Sequence, residues 1–361
     1  MSEVLQTFSR RLGQARKIAR LSFRELSEAL GGVPSHTMLS RYEKGETMPD
    51  GAVLARLVEV LKQPADFFFR SYEVEFSGLS FRRKASLGVG RRQAIEEKAR
   101  DFFSRYLELE ELLNARIPYA PPFAGEEITR EEDVERFALE LRSKWNLGTD
   151  PIPNLQQFIE LKGIKVHEVE TDDPAFDGFS CDANGEPIIV VASWLGRNVP
   201  RKRMTLAHEL GHVVLPIPKS LPEADQEKLV KPFASAFLMP EEHFKTMFGG
   251  RRSGISLGEL LELKTYFGVS MMAIMYRASR LELISQAVYE RFFMQAGIRG
   301  WRKREVGEPG DGMFEDTESH GRMRQMVLQC VAEGVVSSSR GAALLGVQLE
   351  QFRQIFKESF A

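Results

Sequence analysis

The chain has 361 residues, 43% of them hydrophobic, and a formal net charge of only −2. Such a length implies two or three domains, and such a composition excludes wholesale disorder. The charge is uneven. Residues 1–100 hold 18 Lys/Arg against 12 Asp/Glu, so the remaining 261 residues carry −8. A basic front on an acidic body is the asymmetry expected where one end meets nucleic acid. Two distant cysteines, Cys181 and Cys330, make neither a disulfide framework nor a CxxC metal site. The Arg-studded first 20 residues lack the apolar core of a secretory leader, and no run approaches the roughly 20 apolar residues of a membrane span. A cytoplasmic protein without a membrane partner is expected.

The front end, 1–70, reads as a series of short helices. Phe8, Leu12 and Ala15 form one stripe. Ser22 with Glu25 three residues on is a capping-box pattern. Phe23, Leu26 and Leu30 then face inward, and Gly31-Gly32 makes a turn. A second short helix spans 35–44 and stops at Gly45. Pro49-Asp50 opens a third, carrying Leu54, Leu57 and Leu61. On Arg24-Glu25-Leu26-Ser27, and above all on Leu39-Ser40-Arg41-Tyr42-Glu43-Lys44-Gly45 with Pro49, this stretch resembles the XRE/Cro-type helix-turn-helix. The resemblance implies that the helix after the turn enters the major groove of double-stranded operator DNA with its N-terminal side chains at base edges. Here those are Ser35, His36 and Thr37, with Ser40 and Arg41 next. Arg pairs with guanine, whereas Ser and Thr are permissive. Arg10, Arg16, Lys17 and Arg20 suit phosphate contacts.

Residues 71–125 run from a basic stretch, Arg82-Arg83-Lys84 and Arg91-Arg92, into a long amphipathic helix over 94–113 and a Pro-rich joint at 117–122. The helix aligns Ile95, Phe102, Tyr106 and Leu109 on one face, a core or a homodimer seam.

Residues 126–290 mix helices and strands. Helical spacing covers 131–147 and 155–162. Residues 164–169 alternate as a strand, and 177–181 and 187–192 are two more strands flanking Asn184-Gly185, a hairpin signal. A helix over 201–215 follows and is stopped by Pro216 and Pro218. In it stands Thr205-Leu206-Ala207-His208-Glu209-Leu210-Gly211-His212. Histidines at i and i+4 project from one helix face and close on one Zn²⁺, while Glu209 is placed to take a proton from a metal-bound water. Leu206, Ala207, Leu210, Val213, Val214 and Leu215 make the helix apolar nearly all round, and polar groups buried there are costly without a purpose. Gly211 lowers helix propensity and signals close packing. Catalytic zinc takes a third protein ligand, and spacing alone leaves Glu223, Asp225 and Glu227 open.

Two blocks carry a second resemblance. Residues 203–212, and Glu227 with Phe233-Ala234-Ser235-Ala236-Phe237-Leu238-Met239-Pro240, resemble the ImmA/IrrE family of zinc metallopeptidases. That family commonly has a Glu six residues before the Phe-Ala pair, which implies Glu227 as third ligand. Its second Glu or Gln, followed by Ala-Asn, is replaced here by Leu229, Val230 and Lys231. The resemblance implies a zincin-like fold and an endopeptidase that cleaves a repressor or another partner protein. His167 reads as a strand-surface residue, and His243 lies close behind Met239-Pro240.

Residues 291–361 begin with a polar, Gly-rich loop over 299–322 and end in helices. The pattern around Ser339–Gly346 superficially repeats a helix-turn-helix and is read as a packing or oligomerisation module. The whole is expected to be multidomain: an all-α helix-turn-helix domain, an α+β zincin-like metallopeptidase domain and a helical C-terminal region. The rival expectation is a repressor or antitoxin-like protein whose peptidase fold senses or binds a partner, such as a toxin, without proteolysis.

Overall fold

A computed structural model of the chain describes residues 2–71, 73–78, 87–171, 173–303, 306–314, 317–318 and 321–359. Contacts divide the chain into two units. Met1–Phe76, Arg83–Arg116 and Gly321–Ala361 form the first, and Ser77–Arg82 with Ile117–His320 form the second. The Arg82-Arg83-Lys84 run lies outside the described residues.

The first unit opens with α1 (Glu3–Ile18), α2 (Phe23–Ala29), α3 (His36–Glu43) and α4 (Gly51–Leu61). Each begins at a residue whose side chain accepts a backbone N–H: Ser2, Ser22, Ser35 and Asp50. Both hydrogen bonds of the Ser22–Glu25 capping box form. Phe8, Leu12, Leu26, Leu39 and Leu57 are fully buried together with Phe67 and Phe68 from the 3₁₀ turn Ala65–Phe69. Each such side chain contributes roughly 1.5–3 kcal/mol by leaving water. Against α1 packs α5 (Val89–Leu112), where Arg11 donates to Ser104 Oγ and Gln14 Nε2 to the Glu97 carbonyl.

A four-stranded sheet has the order β1-β3-β4-β2; β1 (Phe76–Ser77) falls at the boundary of the two units in sequence, and β2 (Lys165–Val169), β3 (Gly178–Ala183) and β4 (Glu186–Ala192) belong to the second. Strand β2 runs parallel to β4 and β3 antiparallel to it, with Cys181 opposite Ile188. The hairpin turn has φ of 53° at Asn184 and 85° at Gly185, the left-handed pair that an Asn-Gly turn supplies. Strand β4 is buried from Ile188 to Ala192, as a central strand covered on both faces must be.

Helices α6 (Val134–Lys144) and α7 (Leu155–Leu161) come before β2, and α8 (Val199–Val214), α9 (Glu223–Leu238), α10 (Glu241–Phe248), α11 (Leu257–Phe267), α12 (Met271–Arg280) and α13 (Gln286–Ile298) after β4. The α+β plan is as expected. The stretch read as a plain loop over 299–322 is anchored by buried carboxylates. Glu318 accepts from the backbone N–H of Leu155 and Gln156 at the start of α7, and Glu308 from those of Met271 and Met272 at the start of α12. The chain then returns to the first unit with α14 (Arg322–Ala332), α15 (Ser338–Leu345) and α16 (Leu349–Glu358), of which α14 and α15 pack on α5.

No helix among the described residues is long and apolar enough to cross a membrane.

Candidate metal centre and nucleic-acid interface

Helix α8 starts at Asn198, whose side chain accepts the Arg201 N–H, and takes Pro200 in its first turn, where a missing donor costs nothing. Leu215 leaves the helix in an extended conformation just before Pro216. Leu206, Ala207, Leu210, Gly211 and Val214 face inward. His208 and His212 stand one turn apart on a half-open side, with ring centroids 5.5 Å apart.

Gly211 decides what lies opposite. A Cβ there would meet Val230 Cγ1 and Phe233 Cδ1, each at 2.8 Å. Its absence lets α9 lie directly against α8. Three and six residues N-terminal to the Val230 and Phe233 contacts, close to one and two turns, α9 presents Glu227. Its carboxylate oxygens lie 3.7 Å from His208 Nε2 and 3.8 Å from His212 Nε2. One ligand atom from each of the three residues falls within 4.8 Å of the others. Two ligands on a tetrahedral zinc stand about 3.4 Å apart when each bond is about 2.0–2.1 Å. The donor set, two imidazole nitrogens and a carboxylate, is that of a catalytic zinc site. His212 Nε2 is buried and makes no hydrogen bond, a costly arrangement that a metal ion relieves. The three residues therefore fit a zinc ion.

Glu209, next to His208 in the chain, is 3% exposed and faces β3. Ser180 Oγ, on β3, donates to Glu209 Oε2 at 2.9 Å. Gly178 shares that strand face by the two-residue period. A Cβ on it would stand 3.2 Å from Thr205 Cγ2 and 3.5 Å from Glu209 Cγ, and 2.8 Å from the Val190 carbonyl oxygen. The missing side chain brings the strand close enough for Ser180 to hold the carboxylate.

Of the alternatives the sequence left open, Glu227 joins the histidines. Asp225 instead accepts from Lys228 Nζ at 2.7 Å, and Glu223 is exposed in the first turn of α9. His167 sits half-buried in β2, and His243 Nε2 lies 2.8 Å from the Tyr266 hydroxyl. Neither is in the cluster. Sequence reasoning missed Ser180 and Gly178, because nothing local marks a strand residue 29 positions from the carboxylate it touches. It also missed the tie of Lys202 and Arg203 to Glu318. There a signal existed: two cations on an otherwise apolar helix need buried partners.

In the first unit, α3 exposes His36, Thr37 and Arg41 and half-exposes Ser40. The Ser35 hydroxyl accepts from Met38 N and serves as the helix cap. Arg41 pairs with Glu46 at 3.0 Å, both half-exposed. The cations suited on sequence grounds to phosphate contact are partly spent within the unit. Arg16 holds Glu43 and the Leu21 carbonyl and lies 4.2 Å from the Phe23 ring centroid. Arg10 pairs with Glu73, and Lys17 with Glu97.

Comparison with family models agrees with both halves. A helix-turn-helix domain model matches residues 7–66, and a model of the IrrE N-terminal-like peptidase domain matches 159–279. The chain is a fusion of these two domains. The second match spans β2 to α12 and contains His208, Glu209, His212 and Glu227. No curated protein matches the chain. The fusion makes a DNA-binding regulator with a peptidase-related domain.

Proposed function

We propose that this fusion is a transcriptional regulator whose second unit is a zinc-dependent endopeptidase acting on a repressor or another partner protein. The observation that carries the reading is the convergence of His208, His212 and Glu227 beside the buried Glu209. Held by those three side chains, zinc would acidify a bound water toward a pKa of about 7 and polarise the scissile carbonyl. The Glu209 carboxylate takes the proton from the attacking water as its oxygen bonds to the carbonyl carbon. It returns a proton to the amide nitrogen as the C–N bond breaks. Ser180, donating to Oε2, fixes the orientation of that carboxylate.

In the first unit, Ser35, His36, Thr37, Ser40 and Arg41 form the groove-facing set on α3, with Ser35 also capping the helix. Operator binding and proteolysis in one chain would couple gene control to cleavage.

The test joins metal analysis to mapping of new protein N-termini in cells expressing either the wild type or Glu209→Gln. One zinc per chain is expected, lost in His212→Ala, with a defined set of new N-termini present only in the wild type. Full zinc with no difference in N-termini replaces the peptidase by a partner-binding sensor. A folded, zinc-free wild type sinks the metal site itself.

A further inference from the structure

The second unit has a cavity of about 490 Å³ beside the first turn of α8, a volume typical of small-ligand sites. None of the three candidate zinc ligands lines it. Trp194, Met272 and Trp301 give it apolar lining. Four cations also line it: Arg197, Arg201, Arg302 and Lys303. Arg201 is spent, since it donates to both Asp177 oxygens at 2.9 and 3.0 Å and stacks on Trp194 at 4.8 Å.

The two lining carboxylates are also spent. Glu308 accepts from Met271 N at 2.6 Å, Met272 N at 3.1 Å and Lys264 Nζ at 3.2 Å. Asp311 accepts from Lys264 Nζ at 2.5 Å, Asn198 Nδ2 at 3.3 Å and Glu308 N at 2.9 Å. Arg197, Arg302 and Lys303 are exposed and, among the described residues, have no acidic partner. The N-terminus of the 16-residue α8 adds partial positive charge. Like charges gathered on one concavity repel unless an anion joins them. Cations dispersed over a convex surface would be merely solvated.

We propose that this cavity binds a small phosphate ester carrying a planar ring, a mononucleotide by chemical class. Arg302 lies over the Phe293 ring at 5.3 Å, which leaves its charge uncompensated; three cations without an acidic partner among the described residues exceed what one carboxylate neutralises, and a phosphate dianion accepts from several donors at once. The ring would cover the Trp and Met lining. Trp301, Arg302 and Lys303 lie beyond the matched peptidase span of 159–279, so this pocket is an addition to that domain. It stands independently of whether the zinc site cuts.

Calorimetric titration of the full chain with AMP, inorganic phosphate and adenosine tests it. AMP is expected to saturate one site and to bind at least tenfold more tightly than either half. Arg197→Glu/Arg302→Glu, with an unchanged melting temperature, is expected to weaken AMP at least tenfold. Arg24→Glu, exposed on the first unit, leaves it unaltered. Should the double variant fail to fold, Lys303→Glu takes its place. No saturable AMP binding, or binding that survives the charge reversal, overturns the site. Phosphate binding as tightly as AMP removes the ring from the proposal, and adenosine binding as tightly removes the phosphate.

Discussion

At the scale of single residues, the candidate centre depends on two positions where a side chain is missing and one where a hydroxyl is present. Gly211→Ala puts a methyl 2.8 Å from Val230 and Phe233, both buried in the α8–α9 contact. Overpacking of this kind costs about 1–3 kcal/mol, and the strain is relieved by moving α9, which carries Glu227. The variant is expected to melt at a lower temperature and to lose zinc affinity more than tenfold, read by calorimetry and competition with a chelator. Zinc affinity equal to wild type would show that Glu227 is not held by this contact. Ser180→Ala removes the donor to Glu209 Oε2. A buried carboxylate that loses one hydrogen bond is destabilised by about 1–3 kcal/mol or more. The expected signature is a several-fold lower kcat at unchanged KM and zinc content, measured on a peptide spanning a mapped cleavage site. An unchanged kcat would leave Ser180 a packing residue. The legibility of these positions differs for a physical reason. His208, Glu209 and His212 share one helix, and helical geometry alone sets their facing. Glu227 lies on another helix and was reached through resemblance, since three acidic residues there suit a helix N-terminus equally well. Ser180 depends on how a strand lies over α8, which no local rule in the sequence encodes.

Among elements, caps and turns were the most legible features and the 299–320 stretch the least. The Ser22–Glu25 box and the Asn184-Gly185 hairpin form as their local chemistry requires. The polar stretch gave no periodic signal, because its order comes from single buried carboxylates reaching distant helix starts. Glu318 is the clearest case. Its side chain has no exposed surface, it pairs with Arg203, which is 5% exposed, and it accepts two N–H groups of α7. Removing one partner of a buried pair costs about 3–5 kcal/mol, because the other charge stays buried. Glu318→Ala is therefore expected to lower the melting temperature of the second unit strongly, whereas an exposed change such as Glu290→Ala does not. Equal effects would mean that the stretch is not an anchor. A capping box on α11 gives a pH dependence. The Ser256 backbone, then Arg252 and the Ser256 hydroxyl, hold the Glu259 pKa at about 2, below its ordinary 4.5. A depressed folded pKa means stability that is complete above about pH 4.5 and fades as pH falls toward about 2. Glu259→Gln should remove that part of the acid sensitivity in melting curves taken between pH 5 and 2. Because the side chain is partly exposed, the effect should shrink in high salt.

For the whole molecule, length indicated two or three domains and charge an end suited to nucleic acid, and the residues that carry both resemblances fell within the matched spans. What they did not indicate is that one unit is assembled from both ends of the sequence. Residues 321–361 carry a helix-turn-helix-like pattern, yet two of their cations, Arg322 and Arg340, are turned onto the first unit. Arg340 pairs with Asp66 at 2.7 Å and also with Glu108, Arg322 with Glu110 at 3.0 Å, and Arg105 donates to the Leu344 carbonyl at 2.6 Å. Met323, Val327, Leu344 and Phe352 are buried. Sequence separation hides such pairing, since contacts over more than 200 positions leave no periodicity to read. It also makes a sharp prediction. A chain ending at residue 320 keeps every helix-turn-helix residue from 7 to 66 and every candidate zinc ligand, but uncovers the face of α5 on which α14 and α15 pack. Burial of several large side chains is worth several kcal/mol, enough to compare with the stability of a small domain. The truncated protein is expected to lose or greatly weaken operator binding in an electrophoretic shift assay, while still holding one zinc per chain. Wild type should show a steep loss of DNA affinity with rising salt, as phosphate contacts require. If the truncation instead binds DNA with wild-type affinity and salt slope, α14–α16 are an appendage. If it loses zinc as well, the two units do not fold as separate bodies.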